Sequence, residues 1–385
     1  MDITLQPSKL AGSVTAPPSK SMAHRILICA AFGKKTVTIF CPETNQDIEA
    51  TADCLRALGA EIHRTTDSYI VTPVSLHPAS AELHCRESGA TLRFLLPIVG
   101  ALGVDATLHM EGRLPQRPLS PLWEEMERMG CQLSRPSETT VRCQGKLRTG
   151  HYAIHCGASS QFISGLLLAL PLIGDRCHLQ IQGKLESAPY VDMTVATVQQ
   201  FHTAEPEQIA VEGDWSSAAF WLAANALGSA VSVEGLDGAS LQGDRDIIEI
   251  LPKLQACTTL SVADIPDLMP ILSVVAAAGK GAVFTNIHRL RYKESDRIAT
   301  TVAMLRALGG SAVATADTLT VYGTGLQGGT VDSYQDHRIA MSAAIAATVC
   351  SAPVTILGAE CVKKSYPGFW SEYTRLGGNY GEILR

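Results

Sequence analysis

The sequence predicts an α/β fold of two domains, each built from three copies of one unit. Two recurring signals predict it. The first ends apparent amphipathic helices: Leu55-Arg56-Ala57-Leu58-Gly59, Met126-Glu127-Arg128-Met129-Gly130, Leu305-Arg306-Ala307-Leu308-Gly309 and Tyr373-Thr374-Arg375-Leu376-Gly377, with degenerate copies at Val198 and Leu251. The glycine stands where a helix C′ residue takes left-handed backbone. The second signal is a small polar residue opening an apolar, alanine-rich helix, at Ser19, Ser88, Ser159, Ser216, Asp267 and Asp336. Each start precedes its helix end by 35 to 39 residues, so two weak signals keep step six times. The shorter spacing in mid-chain trims the third and fourth copies.

Composition bounds the function. Apolar residues at 46% and charged residues at 18% allow a large core and exclude disorder. A net charge of −6 argues against a nucleic-acid partner while leaving room for a local basic pocket. The 11 cysteines are odd in number and form no C-x-x-C pair, and the N-terminus has neither a basic nor an apolar leader region. A cytoplasmic protein with free thiols is the expectation. The longest apolar run, Phe162 to Ile173, falls short of the roughly 20 residues of a membrane helix.

Taken in order, the helix starts carry the candidate chemistry. Ser19-Lys20-Ser21 opens the first, with Ser19 as N-cap and Lys20 and Arg25 able to line one mouth; solvated basic residues on a capped helix are the alternative. Ser88-Gly89 opens the next, where glycine lets a ligand approach the backbone N–H groups. Arg117 follows in a proline-flanked loop. Ser159-Ser160-Gln161 is either a phosphate cradle or an N-cap, and Gly213-Asp214-Trp215-Ser216-Ser217 repeats the theme. Asp267 begins the next helix, a carboxylate at a mouth otherwise lined with cations. Lys293 and Arg297 would stack at i, i+4 on a helix with Glu294 adjacent, as a site or as a solvated helix start. Arg338 heads a buried helix, and Lys363-Lys364 closes the set. Six converging helix N-termini would draw anions despite the negative net charge. His151, His155 and Cys156 have metal-ligand types, but a strand would hold the two histidines about 13 Å apart, so no metal is expected. Gly323 to Gly329 matches no nucleotide-binding loop.

As a set, these segments resemble the 5-enolpyruvylshikimate-3-phosphate synthases (3-phosphoshikimate 1-carboxyvinyltransferases). The resemblance runs from 19–25 (SKSMAHR) through 88–93, 117–118, 159–161, 293–297 (KESDR) and 336–341 (DHRIAM) to 364–367. It implies the enolpyruvyl transferase fold: two domains, each of three β-α-β-α-β-β units, with the active site in the cleft between them. Residues 1–17 and 213–385 would form one domain and 18–212 the other, with crossings near 17–19 and 211–214. The implied reaction moves the enolpyruvyl group of phosphoenolpyruvate to the 5-hydroxyl of shikimate 3-phosphate, with no cofactor. The implied partners are these two small anions, not nucleic acid or membrane, and the implied state is a monomer.

By the same resemblance, Asp267, Glu294 and Lys20 would be catalytic, the proton transfers at the enolpyruvyl group being divided between Glu294 and Lys20. Lys20, Gly89, Arg117, Gln161, Arg297, Arg338 and Lys364 would bind phosphoenolpyruvate, arginine forks matching its phosphate and carboxylate. Lys20, Ser21, Arg25, Ser159, Ser160, Gln161, Ser187, Tyr190, Asp267 and Lys293 would bind shikimate 3-phosphate. Glu87, Arg289 and Ala188 depart from the common pattern and bear on the outer contacts. Glyphosate would occupy the phosphoenolpyruvate site beside Gly89. The related UDP-N-acetylglucosamine enolpyruvyl transferases typically carry a cysteine in the loop matching Gly112 to Pro118, which here has none. A non-catalytic binding protein on the same fold would need a lost base or clamp residue.

Overall fold

The computed structural model describes residues 1–155 and 159–383; Cys156 of the set-aside metal motif lies outside them. Two compact units divide the chain: Met1–Pro17 with Gly213–Arg385, the discontinuous unit, and Pro18–Glu212, the inserted unit.

Strands β1 (Asp2–Gln6) and β2 (Ala11–Thr15) open the discontinuous unit. The inserted unit starts with α1 (Lys20–Ala31), β3 (Val37–Phe40), α2 (Gln46–Ala57) and the hairpin β4 (Glu61–Arg64) and β5 (Ser68–Thr72). A second copy follows as β6 (Ser80–His84), α3 (Gly89–Leu102), β7 (Asp105–His109), α4 (Leu122–Arg128), β8 (Cys131–Ser137) and β9 (Thr140–Gly145). The third is shorter: β10 (His151–His155), α5 (Ser160–Ile173), β11 (His178–Gln182) and α6 (Ala188–Thr203). Strand β12 (Gln208–Ala210) then returns to pair with β3 of the first copy.

The fourth copy takes β2 as its first strand and adds α7 (Trp215–Ala226), β13 (Ala230–Glu234) and α8 (Ile247–Lys253). The fifth is complete: β14 (Thr258–Ser261), α9 (Met269–Ala278), β15 (Ala282–Thr285), α10 (Arg297–Ala307), β16 (Ser311–Ala314) and β17 (Thr318–Tyr322). The sixth runs β18 (Gly329–Asp332), α11 (His337–Ala347), β19 (Val354–Leu357), α12 (Phe369–Arg375) and β20 (Asn379–Ile383), and borrows β1 as its last strand.

Four sheets have four strands in one repeated order: β12-β3-β5-β4, β6-β7-β9-β8, β14-β15-β17-β16 and β18-β19-β1-β20. The first pair of each is parallel and the rest antiparallel, as in β6 with β7 and β7 with β9. The sheets β10-β11 and β13-β2 keep only the parallel pair. The difference follows the helix-end signal. In the four clean copies Gly59, Gly130, Gly309 and Gly377 stand at φ +82° to +118° and turn the chain straight into the next strand, which opens a hairpin in the first three and is β20, paired with β1, in the last. The degenerate copies lack that glycine, and no hairpin follows. The degenerate string that starts at Val198 (VQQFHT) forms the last turns of α6, which ends at Thr203.

Each unit has its own core. One gathers Phe220, Trp221, Ile271 and Phe369; the other gathers Ile28, Leu55, Leu95 and Phe162. All of α11 is buried, and α3 is buried from Thr91 to Ala101. Alanine and glycine let these central helices pack closely. Their polar ends then become the feature that distinguishes one mouth from the other.

Candidate active site

In the inserted unit α1, α3 and α5 lie parallel, because side chains from their first two turns meet. Arg93 of α3 donates to Gln161 Oε1 of α5 at 2.7 Å. Arg25 of α1 reaches Ser164 of α5 at 3.4 Å and lies 5.1 Å from the Phe94 ring of α3. Ser19, Ser88 and Ser159 cap the three helices, their hydroxyls accepting the N–H of Met22, Thr91 and Gln161. The three partial positive ends therefore add at one mouth.

Neutral groups hold the cations there. Arg25 Nε donates to Thr194 Oγ1 at 2.7 Å, Nη1 to the Ser21 carbonyl at 2.6 Å and Nη2 to the Tyr190 carbonyl at 2.7 Å. Burial lowers this guanidinium to about 10, still fully charged at neutral pH. Arg93 also donates to the Pro118 carbonyl at 3.1 Å. Arg117 lies flat on Gly89: a Cβ built on that glycine would stand 2.8 Å from Nη1. Ser187 precedes α6 with φ +56°, buried at its start. Hydroxyls tie α1 and α2 to the α3 cap: His24 Nδ1 to Thr51, Thr51 to Thr91, and Thr91 to Ser88, each at 2.7 Å. Burial, with Lys20 and Arg25 nearby, holds His24 below its ordinary value and hence neutral. Lys20 has an acidic partner, donating to Asp47 Oδ2 at 2.8 Å.

The discontinuous unit uses carboxylates instead. Arg297, fully buried at the start of α10, donates from Nε to Asp336 at 3.0 Å, from Nη1 to Asp267 at 2.7 Å and from Nη2 to Glu294. Asp267 also takes Arg338 at 3.2 Å and Lys293 at 3.3 Å. Burial opposes the charge on Asp267, but Arg338, Lys293 and Arg297 together outweigh it and hold the carboxyl well below the usual range. Asp336 is buried too and is held low chiefly by Arg297. Lys364 donates to the Gln335 carbonyl at 2.9 Å, next to the α11 cap.

Three local expectations need correction. Asp214, not Ser216, caps α7, because its Oδ1 takes the Ser217 N–H at 2.7 Å; the Ser216 hydroxyl is bonded to Asp244. Asp267 caps nothing: α9 starts two residues later, with Pro270 in its first turn, and so the carboxylate is left to the cations. Lys293, Glu294 and Arg297 do not share a helix. A 3-10 turn ends at Tyr292, and Asp296 caps α10 through the Ala299 N–H.

The family model described as EPSP synthase (3-phosphoshikimate 1-carboxyvinyltransferase) matches residues 5–373. The chain belongs to the EPSP synthase family. It is 37% identical to the 3-phosphoshikimate 1-carboxyvinyltransferase of Clostridium kluyveri, over 99% of this chain and 98% of that one. It is 38% identical to the one from Clostridium perfringens, over 98% of each. Among solved structures, EPSP synthase from Acinetobacter baumannii superposes with a TM-score of 0.80 over the full length of both chains, at 23% identity. The enolpyruvyl transferase NikO from Streptomyces tendae gives 0.75 at 17% identity, over 100% of this chain and 99% of that one. At these identities the solved structures speak for the fold.

In this member of the EPSP synthase family the expected site residues form two sets. Asp267, Lys293, Glu294, Arg297 and Arg338 are joined directly in the discontinuous unit, with Lys364 beside the α11 cap. Lys20, Ser21, Arg25, Gly89, Arg117, Ser159, Ser160, Gln161, Ser187 and Tyr190 lie on the inserted unit. Sequence reasoning missed the residues that hold them: Asp47, Arg93, Ser164, Thr194 and Asp244. Only Arg93 had a signal, as the last residue of the 88–93 motif. Asp244 is buried beside Ser216 with one carboxylate oxygen lacking a hydrogen-bond partner among the described residues, and burial next to Asp267 pushes it up to about 7.

Proposed function

We propose that the chain transfers the enolpyruvyl group of phosphoenolpyruvate to the 5-hydroxyl of shikimate 3-phosphate and releases phosphate, a step of the shikimate pathway to aromatic amino acids. The observation that carries this reading is the Asp267 carboxylate gripped by Arg297, Arg338 and Lys293 with Glu294 alongside. Such a cluster holds both the charge that anionic substrates need and carboxylates able to move protons.

The chemistry needs the 5-hydroxyl to lose a proton and the enol C3 to gain one. The hydroxyl oxygen bonds to C2, giving a tetrahedral intermediate whose C3 is a methyl group; C3 then gives up a proton, the C2=C3 double bond reforms and the C2–O bond to phosphate breaks. Asp267 is the base for the hydroxyl. Clamped by three cations it is a weak one, so the anionic substrates must draw those cations off and raise its affinity for a proton. Glu294 and Lys20 serve the enolpyruvyl protons. Arg297, Arg338, Lys364, Arg117, Gln161 and Lys20, with the bare backbone of Gly89, bind phosphoenolpyruvate. Ser159, Ser160 and Ser187 take the 3-phosphate; Ser21, Arg25, Gln161, Tyr190, Lys20 and Lys293 complete that substrate's contacts. Glyphosate competes for the place of phosphoenolpyruvate, and turnover falls at millimolar glyphosate.

We read the protein as a cytoplasmic monomer without nucleic-acid or membrane partners. The net charge of −6 supports the first exclusion, and among the described residues no helix is long and apolar enough to cross a membrane. The deciding experiment mixes purified protein with both substrates, omitting each in turn, in the presence of EDTA. Phosphate release that needs both substrates and survives EDTA is expected. Asp267→Ala should abolish it while shikimate 3-phosphate still binds. Release from phosphoenolpyruvate alone, or none from folded protein, would overturn the reading.

A further inference from the structure

Four buried side chains run from α1 through α2 to the start of α3: His24, Thr51, Thr91 and Ser88, none more than 1% exposed. Each hydroxyl owns one hydrogen, so the direction of the chain follows from its far end. Thr91 Oγ1 donates to Ser88 Oγ at 2.7 Å. That hydrogen is then spent, and in its contact with Thr51 the Thr91 oxygen must accept. The Thr51 hydrogen is spent in turn, so Thr51 accepts from His24. His24 therefore carries its proton on Nδ1.

The surroundings of the ring agree. Nε2 is buried and has no hydrogen-bond partner among the described residues, so a second proton there would be an unmet donor. Phe94 stands edge-on to the ring at 6.4 Å and limits its rotation. At the other end, Ser88 Oγ accepts the Thr91 N–H at 3.2 Å as well as the Thr91 hydroxyl. Both bonds come from the first turn of α3. The next residue is Gly89, on which the Arg117 guanidinium lies. The relay is thus a neutral strut, which joins α1 to this turn without adding charge at the mouth.

We infer that His24, fixed as its Nδ1–H tautomer, is a positioning residue for the phosphoenolpyruvate contacts of this unit. Through Thr51 and Thr91 it sets the first turn of α3, and with it the Gly89 backbone and the place of Arg117. The ligand rests on the function proposed above; the direction of the relay does not. Arg25, one residue further along α1, has its own bonds to Thr194 and Tyr190, so the contacts to shikimate 3-phosphate should be spared.

Two measurements test this. In nitrogen-15 spectra of the full chain near neutral pH, the imidazole signal lost in His24→Asn should show a protonated Nδ1 and a bare Nε2. An Nε2–H tautomer or a doubly protonated ring would overturn the relay, whether or not the chain turns substrate over. In steady-state kinetics, Thr51→Val keeps the shape and removes the middle hydroxyl. KM for phosphoenolpyruvate should rise about tenfold, with kcat and KM for shikimate 3-phosphate within about twofold of the parent's. His24→Phe should behave alike. Thr51→Ser, and His24→Asn with an amide N–H in place of Nδ1–H, should return KM to within about threefold. Equal rises in both KM values, a loss confined to kcat, or no rescue by Thr51→Ser would overturn the positioning role. A parent that neither binds nor turns over phosphoenolpyruvate would sink the proposed function and this role with it, while the spectra would still report on the relay.

Discussion

Each unit gathers cations at the starts of its helices, by different electrostatic means. At α1, α3 and α5, Arg25 and Arg93 donate to hydroxyls, an amide and backbone carbonyls. At α9, α10 and α11, Arg297 meets three carboxylates and Arg338 meets one. The first arrangement sets its arginines among neutral acceptors. The second is internally balanced, and an anion entering it must displace a carboxylate from its cation. That displacement is what can free a carboxylate to accept a proton. Lys20 with Asp47 brings the second device to the start of α1.

The largest expected effect separates the two mouths by stability. Arg297→Leu leaves Asp267, Glu294 and Asp336 facing one another and should cost about 3–5 kcal/mol in urea unfolding. Arg25→Leu leaves only neutral acceptors and should cost about 1–3 kcal/mol. Equal losses would break the comparison.

Gly89→Ala sharpens the inserted unit's side. The new methyl meets Arg117 Nη1 at 2.8 Å, so the guanidinium must move. KM for phosphoenolpyruvate should rise about tenfold, with KM for shikimate 3-phosphate nearly unchanged. A rise in both would mean that the α3 mouth as a whole had shifted. Thr194→Val removes one charge-assisted bond to Arg25 and should raise KM for shikimate 3-phosphate severalfold, leaving kcat close to the parent's. Thr194→Ser should restore it. A loss confined to kcat would count against a positioning role.

The smallest effect probes the balanced mouth by pH. Asp244 titrates near 7 in the folded chain, above its ordinary range, so folding favours its protonated form. That contribution is present at pH 4 and lost as pH rises through 7. Asp244→Asn does not titrate, so its melting temperature relative to the parent should improve from pH 5 to pH 8. A difference independent of pH would mean that Asp244 keeps the same charge across that range.

What could be read from sequence was whatever repeats or caps. Ser19, Ser88, Ser159 and Asp336 bond to N–H groups two or three residues ahead, and Gly59, Gly130, Gly309 and Gly377 answer to their own backbone angles. Such signals lie within a few residues of the structure they specify. The supports of the site do not. Thr194 meets Arg25 across 169 positions, Gln161 meets Arg93 across 68, and Arg338 meets Asp267 across 71. Asp267 misled for a related reason: its position suggested a cap, while its partners come from distant segments. Family resemblance named residues expected to face substrate, but the groups that hold them emerged only from the packing.

The four left-handed glycines have a consequence for how this chain can change length. Gly59, Gly130 and Gly309 each hang a hairpin from the tail of a helix and Gly377 leads into β20 beside β1, whereas the expected site residues stand near the heads of other helices. Two hairpins are missing here, and every expected site residue is still present. The hairpins are thus detachable modules. A reporter peptide or affinity tag grafted after Leu254 or Thr203 would occupy a place that the architecture already treats as optional.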